Sequence, residues 1–149
     1  MEGNMTIKQA VKAAAFLAGF VFILVTVTYI IRTNGGVKDR FTGFYAEKEN
    51  TIDVVLAGSS PVYPYYSAPK LYGEQGIASY PLSTNNQRPK AIKYLFREAL
   101  KTQDPSLFIV ELRMFTMPDE EWEDTMVFTR GVTDNMKYSV NRIQAINAL

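Results

Sequence analysis

The chain has 149 residues and a formal net charge of +1, with 16 basic side chains scattered against 15 acidic ones; that near-balance excludes the clustered basic face of a nucleic-acid binder. It contains neither cysteine nor histidine, which removes disulfides, thiolate metal sites and cysteine nucleophiles, and prevents a Ser-His-Asp site from closing within these residues. A zinc site would have to rest on carboxylates alone, so no metal and no cofactor is expected.

Residues 1–12 form a short polar lead. From Ala13 to Ile31 the sequence runs AAAFLAGFVFILVTVTYII without a charge. At about 1.5 Å per residue this length matches a hydrocarbon core of roughly 30 Å. It is apolar all round, as a lipid-facing helix is, where a buried core helix would show a polar face. Tyr29 falls at an interfacial position and Arg32 can reach outward to water. A cleaved signal peptide has a shorter apolar core and a small-x-small cleavage site, and Thr33-Asn34-Gly35 matches that poorly. Residues 13–32 are therefore expected to be an uncleaved signal anchor and the partner of a membrane. Lys8 and Lys12 precede the span and Arg32, Lys38 and Arg40 follow it, so charge alone sets no orientation.

Residues 33–50 suggest a stalk: Gly35-Gly36 breaks the helix, and a mixed polar stretch follows. From residue 51 onward, roughly a hundred residues suffice for one small domain. Ile52 to Ala57 is a short apolar run ending in Gly58-Ser59-Ser60, the pattern of a buried strand in a parallel sheet. Pro61 and Pro64 argue against a helix directly after it. A short helix is expected over Ala68–Tyr72, stopping at Gly73, then a second strand over Gly76–Tyr80 and a polar loop. Pro89 suits the first turn of a helix running to about Thr102, with Ile92, Leu95 and Ala99 on one face and Ala91 and Leu100 beside them. Asp104-Pro105 ends it, and Leu107–Leu112 is a third strand. Alternating strands and helices predict an α/β class built from right-handed βαβ units. Pro118 with the acids after it resembles a helix start, and Val140, Ile143, Ile146 and Leu149 predict a last helix. Three parallel strands leave an edge to be paired, so residues 51–149 are expected to be an incomplete α/β domain.

In open α/β sheets ligands bind beyond the carboxyl ends of the strands. The loops expected there are Gly58-Ser59-Ser60, Ser83-Thr84-Asn85-Asn86 and the residues after Glu111. A serine in a tight turn after a strand can expose its hydroxyl, and its N–H can face a developing oxyanion; Ser60 suits that role. Asn85 and Asn86 can add donors, and asparagine tolerates left-handed backbone. The plainer alternative is an ordinary turn with a solvated hydroxyl. A phosphate-cradling loop would need more glycines and an immediate helix. Glu111 and Arg113 at a strand end suggest a local ion pair, Tyr63, Tyr65 and Tyr66 suggest a core cap with wet hydroxyls, and Trp122 suggests a packing anchor. Glu120, Glu121 and Glu123 suggest a solvated helix face.

Residues 51–113 resemble the start of an SGNH (GDSL-type) hydrolase, with the flavodoxin-like three-layer α/β fold that this implies. VVLAGSS resembles the first block of that family, in which a strand ends in Gly-Asp-Ser. The resemblance makes Ser60 the nucleophile, with Ser59 in place of aspartate. PLSTNN resembles the second block, whose final glycine supplies an oxyanion N–H, and Asn86 falls on that glycine. FIVEL resembles the strand leading to the third block, Gly-x-Asn-Asp, but Phe115 stands where its asparagine belongs. A membrane anchor ahead of Gly-Ser-Ser is similar to the branch that holds teichoic acid D-alanylation and alginate O-acetylation proteins. That branch works outside the bacterial membrane beside a multispanning acyltransferase, and its closing Asp-x-x-His has no counterpart here. The resemblance implies acyl transfer or ester hydrolysis on a cell-envelope glycan, a cytoplasmic N-terminus, an extracytoplasmic domain, and an N-terminal fragment inactive by itself. The competing expectation is a non-catalytic, membrane-anchored accessory that binds glycan or a membrane partner.

Overall fold

The computed structural model describes residues 6–31, 35–116 and 126–149. The chain divides into two compact units, Met1–Arg32 and Thr33–Leu149. The first is one helix, α1, over Ile7–Ile30, long and apolar enough to cross a membrane. Its 24 residues extend about 36 Å, which exceeds the hydrocarbon thickness. None of its side chains is buried. Thr6 caps it: the hydroxyl accepts from the Gln9 N–H while the Gln9 side chain accepts from the Thr6 N–H, a reciprocal box that satisfies the first turn. Within the helix the Thr26 hydroxyl donates to the Phe22 carbonyl at 2.8 Å, which satisfies that donor in an apolar environment. Arg32 lies outside the described residues.

The second unit is a mixed α/β domain around a three-stranded parallel sheet of order β2-β1-β3. In chain order it comprises α2 (Gly36–Ala46), β1 (Val54–Ala57), α3 (Val62–Tyr65), α4 (Ala68–Gln75), β2 (Ser79–Pro81), α5 (Pro89–Ala99), β3 (Leu107–Val110), α6 (Met126–Thr133) and α7 (Val140–Ala148), with a 3₁₀ turn at Arg113–Phe115. Every residue of β1 is buried, as expected of a central parallel strand covered on both faces, and this explains its unbroken apolar run. Val55 faces the main core with Phe41 and Phe44 of α2, Leu95 and Ala99 of α5, Val132 of α6 and Ala145 of α7. Val54 and Leu56 face the opposite way, against Val62 and Tyr66. Cover on that face is thin: Leu107 and Ile109 of β3 remain 51% and 40% exposed. Gln103 fixes the entry to β1, its side-chain oxygen accepting from the Thr51 and Ile52 amides and its NH₂ donating to the Lys48 carbonyl.

Several elements differ from the sequence expectation for identifiable reasons. Residues 36–46 are not a spacer. They form α2, whose Phe41 and Phe44 are 1% and 0% exposed and belong to the core. A short helix, α3, does follow Pro61. A first helical turn leaves its N–H groups without intrahelical acceptors, so Pro61 as cap and Pro64 inside that turn sacrifice little. α4 runs through Gly73 and ends at Gly76, whose φ of 71° is the left-handed cap conformation that glycine adopts freely. α5 and β3 stop slightly short of their expected ends. In α7 most of the apolar spacing does not face the core: Val140, Ile143 and Ile146 are 71%, 61% and 52% exposed, only Leu149 of the four packs against the core, and small Ala145 is the buried residue. The close α5–α7 approach is instead fastened by polar groups, including Asn141 Nδ2 to the Tyr94 carbonyl at 2.9 Å. The helix start at Pro118, Trp122 and the nearby glutamates lie outside the described residues.

Candidate functional site

All three strands are parallel, so their carboxyl ends share one edge of the sheet. The loops that leave this edge are Gly58–Ser60 after β1, Leu82–Gln87 after β2 and Glu111–Arg113 after β3. Backbone bonds hold them together: the Glu111 N–H donates to the Ala57 carbonyl at 2.9 Å and the Thr84 N–H to the Gly58 carbonyl at 3.3 Å. A side-chain bond adds to this, from the Tyr63 hydroxyl to Asn85 Oδ1 at 2.8 Å. Ser60 sits at the tip of the first loop, half-buried, between buried Ser59 and the start of α3. Asn86 is exposed and adopts a left-handed φ of 42°, a conformation that asparagine tolerates better than most residues. Neither the Ser60 nor the Asn86 amide donates a hydrogen bond among the described residues. Both positions therefore keep a main-chain donor uncommitted at the sheet edge, in loops that the contacts above bring side by side.

The charges around this edge have distinct places. Glu111 makes no ion pair with the Arg113 guanidinium among the described residues. Its carboxylate accepts from the Arg113 backbone N–H at 2.7 Å and from both the amide and hydroxyl of Ser59, at 3.2 and 2.9 Å. Gly58 has no room for a side chain: a Cβ there would lie 2.4 Å from Val62 Cγ2 and 2.5 Å from Glu111 Cβ. On the other side, the Arg40 guanidinium lies 4.0 Å above the Tyr63 ring while its Nε–H donates to the Ser83 carbonyl at 2.9 Å. Burial lowers the pKa of Arg40 below its usual value, with nearby Tyr63, Tyr80 and Asp39 opposing the shift. Burial also pushes the Tyr80 phenol up to about 12, Glu47 adds to the rise and Arg40 opposes it. The Tyr80 hydroxyl donates to the Arg40 carbonyl at 2.7 Å, which ties α2 to β2 behind the loop.

Two hollows flank the edge. An apolar one of about 280 Å³ lies between Leu56, Ile109, Pro61, Val62 and Tyr65, with Glu111 at its margin. A second, of about 170 Å³, is bounded by Val37, Thr84, Asn85, Phe128 and Asn135. Among the described residues, no group of three or more acidic side chains is placed to hold a metal ion. Of the three tyrosines, Tyr63 contacts the Asn85 loop, Tyr66 donates to Ser79 Oγ at 2.8 Å, and Tyr65 points to solvent at 88% exposure. The sequence reading missed Arg40, because it lies in a stretch taken for a stalk. It also missed the Ser59–Glu111 contact. The only signal for that contact was a carboxylate one residue beyond the strand that runs beside β1.

The chain defined by these observations is a mixed α/β protein with one N-terminal helix able to cross a membrane. Comparison with protein-family models, curated proteins and solved structures finds no match.

Proposed function

We propose that this chain is a membrane-anchored protein of the SGNH type, with its flavodoxin-like domain on the outer side of a bacterial cell membrane. Its parent chemistry would be acyl transfer or ester hydrolysis on a cell-envelope glycan, beside a multispanning acyltransferase. The observation that carries this reading is the sheet edge itself: a serine turn after β1 lies beside a loop whose Asn86 is left-handed, each with an uncommitted N–H. In this reading Ser60 Oγ is the nucleophile, and the Ser60 and Asn86 amides face the developing oxyanion. With no histidine among 149 residues, the serine lacks a base and remains a weak nucleophile. The chain alone is therefore an ester-binding half-site without turnover.

The test uses the full chain in lipid nanodiscs, an alkyl fluorophosphonate, and added imidazole as the missing base. Serine Oγ attacks phosphorus, the P–F bond breaks, fluoride leaves and imidazole takes the proton. Peptide mass mapping should place the adduct on Ser60 only when imidazole is present, and Ser60→Ala should remove it. Asn86→Gly, which keeps both the N–H and the positive φ, should leave labelling intact. Labelling spread over unrelated serines would refute the site. Ester hydrolysis without added base, abolished by Ser60→Ala, would refute the claim that the chain alone is inactive. A second reading, a non-catalytic accessory that binds glycan, is favoured by the same absence of histidine; glycan binding that survives Ser60→Ala would support it.

A further inference from the structure

We infer that Glu111 is the positioning residue of the Ser60 turn, an inference that rests on the reading of Ser60 as nucleophile. Glu111 is the first residue after β3, and its N–H donates to the Ala57 carbonyl. The register of the sheet therefore fixes its backbone against the end of β1. From there the carboxylate spans the first loop. One oxygen accepts from both the amide and the hydroxyl of Ser59, and the other accepts from the Arg113 amide. Two backbone amides from separate loops thus hold the carboxylate plane, and charge-assisted bonds of this kind are the stronger and shorter class.

The turn is held from its other side as well. The Ser59 carbonyl accepts from the Val62 N–H at 3.2 Å. Gly58 is pressed between Val62 and Glu111 so closely that a Cβ would overlap both. Ser59 is thereby fixed at its amide, its hydroxyl and its carbonyl, and the next peptide unit carries the Ser60 N–H. Orienting that unit orients the nucleophile and one oxyanion donor together.

A simpler assignment would make Ser59 and Glu111 a nucleophile–base pair. Burial decides against it. Ser59 is 7% exposed, and its hydroxyl is held by the same oxygen that holds its own amide, so it is not presented to an ester. An ordinary surface ion pair is also excluded, because the carboxylate engages backbone amides of two loops rather than a cation.

The experiment measures fluorophosphonate labelling of Ser60 with imidazole, separating the maximal labelling rate from the half-saturating reagent concentration. Amide NMR of Ser59 and Ser60 is recorded on the same nanodisc samples. Glu111→Ala should lower the maximal rate about 100-fold with half-saturation unchanged, the pattern expected when a reacting group is misplaced by about an ångström. Glu111→Gln offers one oxygen for two sites and turns its NH₂ toward one of the donors, so an intermediate loss is expected. Ser59→Ala keeps the Ser59 N–H bond and should cost least. In the wild type the Ser59 amide proton should resonate downfield and exchange slowly, and both signatures should vanish in Glu111→Ala. If Glu111→Ala does not fold, Glu111→Gln and Ser59→Ala carry the test. Wild-type labelling rates in folded Glu111 variants overturn the inference, as does a Ser59 amide indifferent to Glu111. A wild-type chain that never labels at Ser60 overturns the nucleophile reading, and the positioning role with it. Labelled wild type with indifferent variants removes the positioning role alone.

Discussion

Replacing Glu98 with glutamine changes one oxygen to NH₂ at the most connected buried carboxylate among the described residues. The side chain is fully enclosed, at 0% exposure. One oxygen accepts from the Tyr45 hydroxyl at 2.8 Å and the Lys137 amide at 3.3 Å; the other accepts from the Lys101 ammonium and from Asn141 Nδ2 at 3.0 Å. One residue of α5 therefore fastens α2, the turn before α7, and α7 itself. In Glu98→Gln the amide oxygen can keep Tyr45 and Lys137, which leaves NH₂ facing two donors. Lys101 is 31% exposed and can turn to water, so its loss counts for little. Asn141 loses a bond to a charged acceptor, worth about 1.5–3 kcal/mol. The expected loss is about 2 kcal/mol. Glu98→Ala also takes the Glu98 acceptor from the Tyr45 hydroxyl, while the Lys137 amide keeps the Tyr45 oxygen at 3.2 Å, and the cost rises to about 4 kcal/mol. Urea unfolding of the full chain in nanodiscs, followed by far-UV circular dichroism, measures both. Combining Glu98→Gln with Asn141→Ala should cost much less than the sum, because both remove the same bond. A Glu98→Gln chain within about 0.5 kcal/mol of wild type, below the range of a single charged hydrogen bond, would refute the network as described.

Gly58→Ala should destabilise by about 1–3 kcal/mol, since its methyl meets Glu111 Cβ and Val62 Cγ2 inside contact distance; adding Val62→Ala should recover part of that loss in urea titrations but not the Glu111 overlap. Tyr80 binds its proton more tightly folded than unfolded, with a pKa pushed from 10.0 to about 12, so its stabilisation is complete below pH 10 and is lost as pH climbs toward 12. Discounted for its partial exposure, that slope amounts to about 1 kcal/mol, and Tyr80→Phe should flatten it in unfolding measured across the same pH window. Asn86→Val should cost about 1–2 kcal/mol because a β-branched residue resists a φ of 42°, whereas Asn86→Gly should unfold at the wild-type urea concentration. Leu17→Asp, near the middle of α1, should disfavour insertion by about 2.5–3.5 kcal/mol, read as release from membranes on alkaline extraction; full retention would refute α1 as a spanning helix.

The sheet was legible because a central parallel strand needs apolar residues on both faces, and Val54 to Ala57 state that without a polar interruption. α5 was legible for the complementary reason, with Pro89 at its first turn and Ile92, Leu95 and Ala99 on its inner face. α2 was not. Gly35-Gly36 and a run of charges look like a spacer, although Phe41 and Phe44 are buried in the core and Val37 and Tyr45 pack against it. Their spacing at i, i+4, i+7 and i+8 is that of an amphipathic helix, masked by the glycines before it and the charges between. α7 was legible as a helix but not in its orientation. Its Val and Ile positions do share a spacing, yet close approach to α5 selects small Ala145 for the interface, with Asn141 bonded to the Tyr94 carbonyl.

The candidate site divides along the same line. The strand-end loops could be placed from the order of elements alone, because a parallel sheet puts all its carboxyl ends on one edge. Residue type made Asn85 and Asn86 equal candidates for left-handed backbone, and only Asn86 of the two adopts it. What could not be read were contacts between residues far apart in sequence. Glu111 reaches Ser59 across 52 positions, and Arg40 reaches the Ser83 carbonyl across 43. Both depend on the register and on side-chain reach, which periodicity does not encode. The two contacts bear on the proposed role of Ser60. The residue before it is held at three points, the loop beside it is held by the half-buried Arg40, and Ser60 itself keeps its amide uncommitted. In the proposed reading, these fixed neighbours would hold the Ser60 hydroxyl and N–H in one direction.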